Sequence, residues 1–248
     1  MQEWKKNIRQ VVPYVPGEQP KEANVIKLNT NENPYPPSPK VKEKCAKICA
    51  KTEELRLYPD PTAGMLVEAI AKYKGLDSSQ VFVGVGSDDV LAMAFLTFFN
   101  SERPIFFPDI TYSFYDVWAD LFKIPYDKKP LDENFMIKKD DYYWKNGGVV
   151  FPNPNAPTGV LMPLDEIEDI ISHNQDVIVI VDEAYVDFGG HSAQELLSKY
   201  ENLLVVQTFS KSRSMAGMRI GYAMGSAELI KALNDVKYSF NSYTMNRT

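Results

Sequence analysis

Short apolar runs alternate with segments of helical periodicity through residues 81 to 209. Strands are predicted where β-branched and aromatic residues run together, and helices where apolar residues recur every three or four positions. The predicted order is strand 81–85, helix 88–99, strand 105–107, helix 112–121, strand 148–151, helix 164–173, strand 177–181, helix 193–200 and strand 203–209. This alternation is typical of an α/β fold with a mostly parallel central sheet and helices on both faces.

The first forty residues differ from the rest because they are rich in proline, asparagine and charged residues, most of all over residues 31–39. Proline biases the preceding residue away from helix, so this composition favours an extended arm. We therefore divide the chain into residues 1–40, an N-terminal arm with part of a small domain, and residues 41–248, a large domain that carries the ligand site.

The two cysteines, Cys45 and Cys49, lie four residues apart in a segment with the pattern of an amphipathic helix. We expect both to be buried on one face of that helix. Their spacing does not match a redox pair, and the two histidines of the chain, His173 and His191, do not complete a zinc site. No metal is expected.

Polar and glycine-containing segments directly follow the predicted strands. Parallel sheets bind their ligands outside the carboxyl ends of the strands, so these segments predict the place of a site. They are residues 86–89, 108–112, 152–159, 182–185 and 210–211.

One lysine, Lys211, follows the last predicted strand between hydroxyl side chains, and Arg219 comes eight residues later. A lysine that reacts with an aldehyde needs a fixed backbone position, which the end of a strand provides. The hydroxyls of Thr208 and Ser210 and the forked guanidinium of Arg219 suit a phosphate group. We therefore predict a site for a phosphate-bearing aldehyde, the alternative being a strand followed by a serine-rich turn. Residues 208–222 resemble the lysine-attachment signature of class-II pyridoxal-phosphate (PLP) aminotransferases.

Asp182 ends a strand of branched aliphatic residues, where an ionised carboxylate is costly unless a cation meets it. The pyridinium nitrogen of PLP is such a cation, and at ~3 Å with an effective dielectric of ~20 the pair attracts by roughly 5 kcal/mol before desolvation. Tyr185 and the proline-flanked Asn155 are predicted to hydrogen-bond the ring oxygen. With Lys211, Asp182 and Tyr185 form the predicted catalytic set. The alternatives are an Asp182 that caps the next turn and an Asn155 that belongs to a stiffened turn.

Residues 86–89 precede a predicted helix, so the backbone N–H groups of Ser87 and Asp88 can point at an anion such as the cofactor phosphate. Either side chain can also act as the helix N-cap. Tyr112 is a candidate to stack on the pyridine ring, although an aromatic on a helix more often belongs to the core.

Three further segments, residues 14–17, 27–35 and 56–61, are together with Gly86-Ser-Asp similar to the histidinol-phosphate aminotransferases. The resemblance implies a dimeric fold-type-I PLP enzyme that transfers an amino group between histidinol phosphate and 2-oxoglutarate in histidine biosynthesis. It implies that Tyr58 reaches the cofactor phosphate of the partner subunit, and that Tyr14 and Asn33 lie where the arm closes over the substrate.

The resemblance also concerns length. Relatives are expected to continue past the equivalent of Thr248 into a smaller C-terminal domain that supplies substrate-binding arginines. We therefore expect this chain to lack that domain, either as a fragment or truncated product or as a protein that binds cofactor without efficient turnover.

Composition excludes some classes of function. A net charge of -6 without a lysine–arginine block argues against a nucleic-acid surface, and 44% hydrophobic with 24% charged residues is typical of a soluble globular protein. The longest aliphatic run, residues 177–181, is too short to cross a bilayer, and residues 1–10 lack the pattern of a signal peptide. We expect no membrane or nucleic-acid partner, small-molecule substrates and a cytoplasmic location.

Other interpretations stay open at this point. A related PLP enzyme, such as a threonine-phosphate decarboxylase or an aromatic aminotransferase, would share the same motifs. A non-catalytic PLP-binding remnant is a second alternative. A nucleotide-binding α/β domain is disfavoured, because no Gly-x-Gly-x-x-Gly or Walker-type run follows the early strands.

Overall fold

The structure, a computed structural model, describes residues 3–18 and 25–245. Residues 19–24 of the predicted arm lie outside this part. The α-helices of the described residues are α1 (Pro39–Cys49), α2 (Gly64–Lys74), α3 (Ser87–Phe98), α4 (Phe114–Phe122), α5 (Leu164–His173) and α6 (Ala227–Phe240). The strands are β1 (Val81–Gly84), β2 (Ile105–Pro108), β3 (Tyr126–Lys129), β4 (Val149–Pro152), β5 (Val179–Asp182), β6 (Leu203–Thr208) and β7 (Gly221–Met224).

The strands form one sheet in the order β1-β7-β6-β5-β4-β2-β3. Neighbours from β6 to β3 pair in parallel, whereas β7 is antiparallel to both β1 and β6. All strands except β7 therefore run in one direction, and their carboxyl ends meet at one edge. The predicted mostly parallel sheet is confirmed.

Apolar side chains cover the sheet on both faces. One core cluster joins α2 and α5 to one face, and a second joins α3, α4 and α6 to the other. Every residue of β4, β5 and β6 is buried, because alternate side chains of a strand point into opposite clusters. This explains why these strands are continuous apolar runs in the sequence.

The connection from β6 to β7 begins and ends at the carboxyl edge, where Thr208 pairs with Gly221. Gly221 lies directly against the turn before α3. A Cβ at this position would lie 2.3 Å from Ser87 N and 2.3 Å from the carbonyl carbon of Gly86, so a side chain does not fit. Glycine thus allows β7 and the N-terminus of α3 to approach each other.

Two expectations are wrong. The predicted helix 193–200 is a single 3-10 turn, Ala193–Leu196, whose first hydrogen-bonding groups are taken by the side chains of Ser192 and Glu183. Cys45 and Cys49 are not buried: Cys45 is partly exposed and Cys49 exposed, and α1 buries none of its residues. The pattern correctly predicted a helix but not that its apolar side packs on the core.

The described part of the arm has a short 3-10 helix, Glu3–Asn7, and no helix or strand over residues 8–18 and 25–38. It extends to the carboxyl edge of the sheet, where Asn33 Nδ2 donates a 3.1 Å hydrogen bond to the Lys211 carbonyl. In the part of the chain that the structure describes, no helix is both long and apolar enough to cross a membrane. No group of three or more His, Cys, Asp and Glu side chains there could hold a metal ion.

Candidate active site

A cavity of about 220 Å³ lies at the carboxyl edge of the sheet. It brings together most of the residues predicted from the sequence to form the site. These are Ser87, Asp88, Tyr112, Asp182, Tyr185, Thr208, Ser210, Lys211 and Arg219, and the arm adds Thr30 and Glu32.

Lys211 follows β6 in an irregular segment, and its amine lies in this cavity. Nζ donates hydrogen bonds to the carbonyl oxygens of Thr30 at 2.9 Å and Asn31 at 3.4 Å, and lies 5.6 Å from the centroid of the Tyr185 ring. The Tyr185 hydroxyl in turn accepts a 2.9 Å hydrogen bond from Asn31 Nδ2. The arm therefore contacts both predicted catalytic groups on this side of the cavity.

Asp182 ends β5 with its side chain in the cavity wall and only 4% of its surface exposed. Its Oδ2 accepts a 3.0 Å hydrogen bond from the Tyr115 hydroxyl, and its Oδ1 accepts one of 3.1 Å from Ala184 N. Burial raises the pKa of Asp182 to about 6 even though both hydrogen bonds favour the charged form. The negative charge of the Asp182 carboxylate is not fully compensated, so a cation in the cavity would stabilise its ionised form.

Other residues that line the cavity supply the groups expected for an anion. The Arg219 guanidinium lies 3.5 Å from Asp88 Oδ2, and the N-terminus of α3 begins at Ser87 beside it. Gly86 has a φ of +86°, which favours glycine, and a Cβ there would lie 2.4 Å from Arg219 Nη2, so the guanidinium would have to shift. Thr208 donates a 3.0 Å hydrogen bond to Ser210, which places both hydroxyls at the same wall.

Tyr112 lies just before α4, two residues outside the helix in which it was predicted. Its hydroxyl donates a 2.7 Å hydrogen bond to Asp88 Oδ1, and burial together with the Asp88 charge raises the pKa of Tyr112 well above its usual value. Tyr14 of the arm stacks on Phe114 with ring centroids 4.1 Å apart, and Phe114 in turn packs against Tyr112. Tyr14 thus reaches the aromatic side of the site through Phe114.

Four predicted residues, Tyr14, Asn33, Tyr58 and Asn155, are not among the described residues that line the cavity. The Asn155 side chain donates to Ile110 O and Thr158 Oγ1, at 2.9 Å and 3.1 Å, so both amide hydrogens already have acceptors. It is nevertheless next to Ala156, which lines the cavity. Tyr58 is 79% exposed and stacks on Tyr243 with a centroid distance of 4.8 Å.

Sequence reasoning missed Tyr115, Thr30 and Glu32. Tyr115 is the second residue of α4, and an aromatic on a helix more often belongs to the core, so its bond to Asp182 carried no signal in the sequence. Thr30 acts through its backbone carbonyl, for which the identity of the side chain carries no signal.

A family model described as "Aminotransferase class I and II" matches residues 23–246. The chain belongs to this family. The family uses PLP, so the cofactor class expected from the sequence is confirmed together with the fold.

Two relatives show where in this family the chain lies. It is 58% identical over 245 residues to "Histidinol-phosphate aminotransferase 1" of Methylococcus capsulatus, covering 98% of this chain and 68% of that protein. It is 55% identical to the histidinol-phosphate aminotransferase of Lactococcus lactis subsp. cremoris, with 97% and 67% covered. The chain thus spans about two thirds of the length of these relatives. The predicted resemblance to histidinol-phosphate aminotransferases is confirmed.

Solved structures agree with this placement. A putative histidinol-phosphate aminotransferase from Erwinia carotovora atroseptica superposes with a TM-score of 0.81 at 26% identity, covering 90% of this chain and 66% of that one. The enzyme from Sinorhizobium meliloti, in complex with pyridoxal-5'-phosphate, gives a TM-score of 0.77 at 20% identity, with 88% and 60% covered, and shows the shared fold.

The residues around the cavity fit PLP. Asp182 is a buried carboxylate suited to a protonated ring nitrogen, Lys211 is an amine suited to the aldehyde, and Arg219 lies with the hydroxyls and the α3 N-terminus at the anion end. The backbone at Gly86 and Gly221 forms a close-packed wall in which an added Cβ would meet atoms at 2.3–2.4 Å. Such a wall allows backbone N–H groups to approach a phosphate.

Proposed function

We propose that this chain binds PLP in the cavity and transfers an amino group between histidinol phosphate and 2-oxoglutarate. One observation carries the proposal: Lys211 and Asp182 line the same cavity, with Arg219 and the N-terminus of α3 beside them. The 58% identity to a protein named histidinol-phosphate aminotransferase supports the choice of substrates.

Asp182 would hold a proton on the ring nitrogen, because burial raises the pKa of its carboxyl group and a neighbouring cation would stabilise the ionised form. When bound, PLP supplies an electron-withdrawing ring that stabilises a carbanion at the substrate α-carbon. Tyr115 keeps the Asp182 carboxylate oriented, because its hydroxyl is bonded to Oδ2. Tyr185 is placed to donate a hydrogen bond to the ring oxygen, and Asn155 would join it after releasing one of its present acceptors.

Lys211 would hold the aldehyde carbon of the cofactor through Nζ. As a free amine, Nζ would take a proton from the substrate α-carbon as general base and deliver it as general acid to the former aldehyde carbon. Arg219, Ser210, Thr208 and the amides of Ser87 and Asp88 would hold the phosphate. Because Thr208 ends β6 and the two amides belong to the N-terminus of α3, this part of the site is fixed before a ligand binds.

The remaining assignments extend this proposal. Asn33 bonds the Lys211 backbone and Tyr14 packs against Phe114, which supports a role of the arm in covering the substrate. A homodimer in which Tyr58 reaches the partner's cofactor, a cytoplasmic location, and the division into residues 1–40 and 41–248 stay predictions.

The test is the absorbance spectrum of the purified chain with PLP, recorded before and after addition of histidinol phosphate. We expect a visible band that borohydride fixes to Lys211, and its loss when histidinol phosphate is added. Lys211→Ala removes the fixed adduct, whereas Lys145→Ala, at a distant surface, keeps it. A fixed adduct in Lys211→Ala contradicts the lysine assignment. A band that forms normally but does not respond to histidinol phosphate contradicts the substrate assignment.

A further inference from the structure

The carboxylate of Asp187 joins two segments of the site. Asp187 lies in the 3-10 turn Val186–Phe188, which directly follows Tyr185. Its Oδ2 accepts hydrogen bonds from Ser212 Oγ and from Arg213 Nη1. Ser212 and Arg213 are the two residues after Lys211, so one carboxylate ties the segment after Tyr185 to the segment after Lys211.

Arg213 is held from several sides. Its guanidinium carbon lies 5.3 Å from the centroid of the Phe209 ring and 6.0 Å from that of Tyr73, and its side chain is 23% exposed. Phe209 comes directly after β6, so Arg213 packs back on the start of its own loop. We call residues 209–215 the lysine loop, because they include Lys211.

The lysine loop is irregular and includes one residue in a left-handed conformation. Met215 N donates to Phe209 O and Ser214 N donates to Lys211 O, at 3.0 Å and 3.1 Å, and Ser214 has a left-handed φ of +57°. A left-handed conformation at a residue other than glycine persists only when its surroundings hold it in place. The two hydrogen bonds to Asp187 supply such a hold on the side of the loop that faces Tyr185.

We propose that Asp187 is a positioning residue that sets the distance between the Lys211 amine and the Tyr185 hydroxyl. The inference rests on the proposed function, in which both groups act on the same cofactor.

Lys211 Nζ lies 5.6 Å from the centroid of the Tyr185 ring in the present arrangement. An error of about 1 Å in the place of a reacting group costs up to roughly a hundredfold in rate. An ion pair with this degree of exposure contributes little to stability. Geometry, and not stability, should therefore respond when Asp187 is changed.

The experiment compares Asp187→Ala and Asp187→Asn with the wild-type chain. We measure the rate at which added PLP attaches to Lys211, the pH titration of the resulting visible band, kcat and KM, and the melting temperature without cofactor. For Asp187→Ala we expect attachment and kcat to fall about tenfold, a shifted titration midpoint, and little change in KM or melting temperature. Asp187→Asn keeps one acceptor oxygen and is expected to lie between alanine and wild type. Asp235→Ala, which removes an exposed pair with Lys231, is the matched control.

A double variant separates positioning from general effects of charge. If Asp187 acts through Arg213, the double variant that carries both Asp187→Ala and Arg213→Ala should attach PLP no more slowly than the slower of the two single variants. Losses that simply add, or an unchanged attachment rate and titration in Asp187→Ala, overturn the inference while the proposed function stands. A wild-type chain that attaches no PLP contradicts the proposed function itself.

Discussion

The Tyr115 hydroxyl donates a 3.0 Å hydrogen bond to Asp182 Oδ2, and both side chains are buried. The bond crosses from the start of α4 to the end of β5, so a helix on one face of the sheet orients the carboxylate at its edge. It is also one of the influences that keep the pKa of Asp182 from rising above about 6.

Replacing Tyr115 by phenylalanine tests this contact. Loss of a hydrogen bond to a charged group costs about 1.5–3 kcal/mol, so we expect kcat to fall roughly ten- to a hundredfold. The pKa of Asp182 rises further, which moves the acidic limb of the pH–rate profile to higher pH. Tyr142→Phe is the control, because the buried Tyr142 hydroxyl has no hydrogen-bond partner among the described residues. An unchanged acidic limb in Tyr115→Phe would show that the bond does not tune Asp182.

Arg219→Lys tests the anion end of the site. Lysine keeps the positive charge but loses the fork that bonds two phosphate oxygens at once. We expect the dissociation constant of PLP, measured by absorbance titration, to rise about tenfold, and free inorganic phosphate to compete less well. The matched control is Arg103→Lys, remote from the cavity. Equal PLP affinity in the Arg219 variant and the wild type would place the phosphate elsewhere.

Gly221→Ala tests the contact between β7 and the N-terminus of α3. The added methyl group meets Ser87 N and the Gly86 carbonyl carbon at 2.3 Å, and the backbone must shift to relieve the overlap. We expect the free energy of unfolding, from urea titration, to fall by about 1–3 kcal/mol, with weaker PLP binding. Gly217→Ala is the control, since a Cβ there meets nothing within 4 Å. A fully stable Gly221→Ala variant with normal PLP affinity would contradict the close-packed wall.

The buried carboxyl group of Glu183 makes the stability of the cofactor-free chain depend on pH. Burial raises the pKa of Glu183 to about 7, although Ser192, Gln207 and Ala193 N all donate to its carboxylate. A group with a raised pKa in the folded state stabilises the fold at low pH, and this contribution is lost as pH rises through about 7. The pKa of a glutamate in an unfolded chain is about 4.5, and that of folded Glu183 is about 7. We therefore expect the free energy of unfolding to fall by about 3 kcal/mol between pH 4.5 and pH 8.

The matched comparison for Glu183 is between two neutral substitutions. Glu183→Gln cannot ionise, so its urea midpoint should vary much less over this pH range than that of the wild type. Glu195→Gln, an exposed change in the adjacent 3-10 turn, should keep the wild-type pH dependence. Equal pH dependence in the wild type and Glu183→Gln would assign the effect to other groups, with Asp182 the first to examine because burial also raises its pKa.

Several elements could be predicted because burial on both faces makes a strand a continuous apolar run. This holds for β4, β5 and β6, and the periodicity of α5 predicted its bounds correctly. Two strands were missed for opposite reasons. The edge strand β3 has the polar sequence YDKK, whereas β7, with sequence GYAM, begins with glycine and contains no β-branched residue.

Most of the residues that line the cavity were named from the sequence, whereas the order of the strands was not predicted. Lysine, arginine and aspartate at strand ends have few structural reasons to be there, so their chemistry is visible in the sequence. Tyr115 and the Thr30 carbonyl were missed because their partners are distant in the chain and their own residue types are common. Residues 193–200 were wrongly predicted as helix because tertiary contacts, such as the hydrogen bond from Ala193 N to the Glu183 carboxylate, override local propensity.

The antiparallel insertion of β7 has a consequence for how this architecture tolerates change. Lys211 and Arg219 both lie on the single connection between β6 and β7, whose two ends are locked in register by the pair Thr208 and Gly221. The number of residues in that connection therefore sets the distance between the reactive amine and the guanidinium. Insertions elsewhere on the surface leave this spacing alone, whereas one extra residue here would alter the span on which a ligand of fixed size depends.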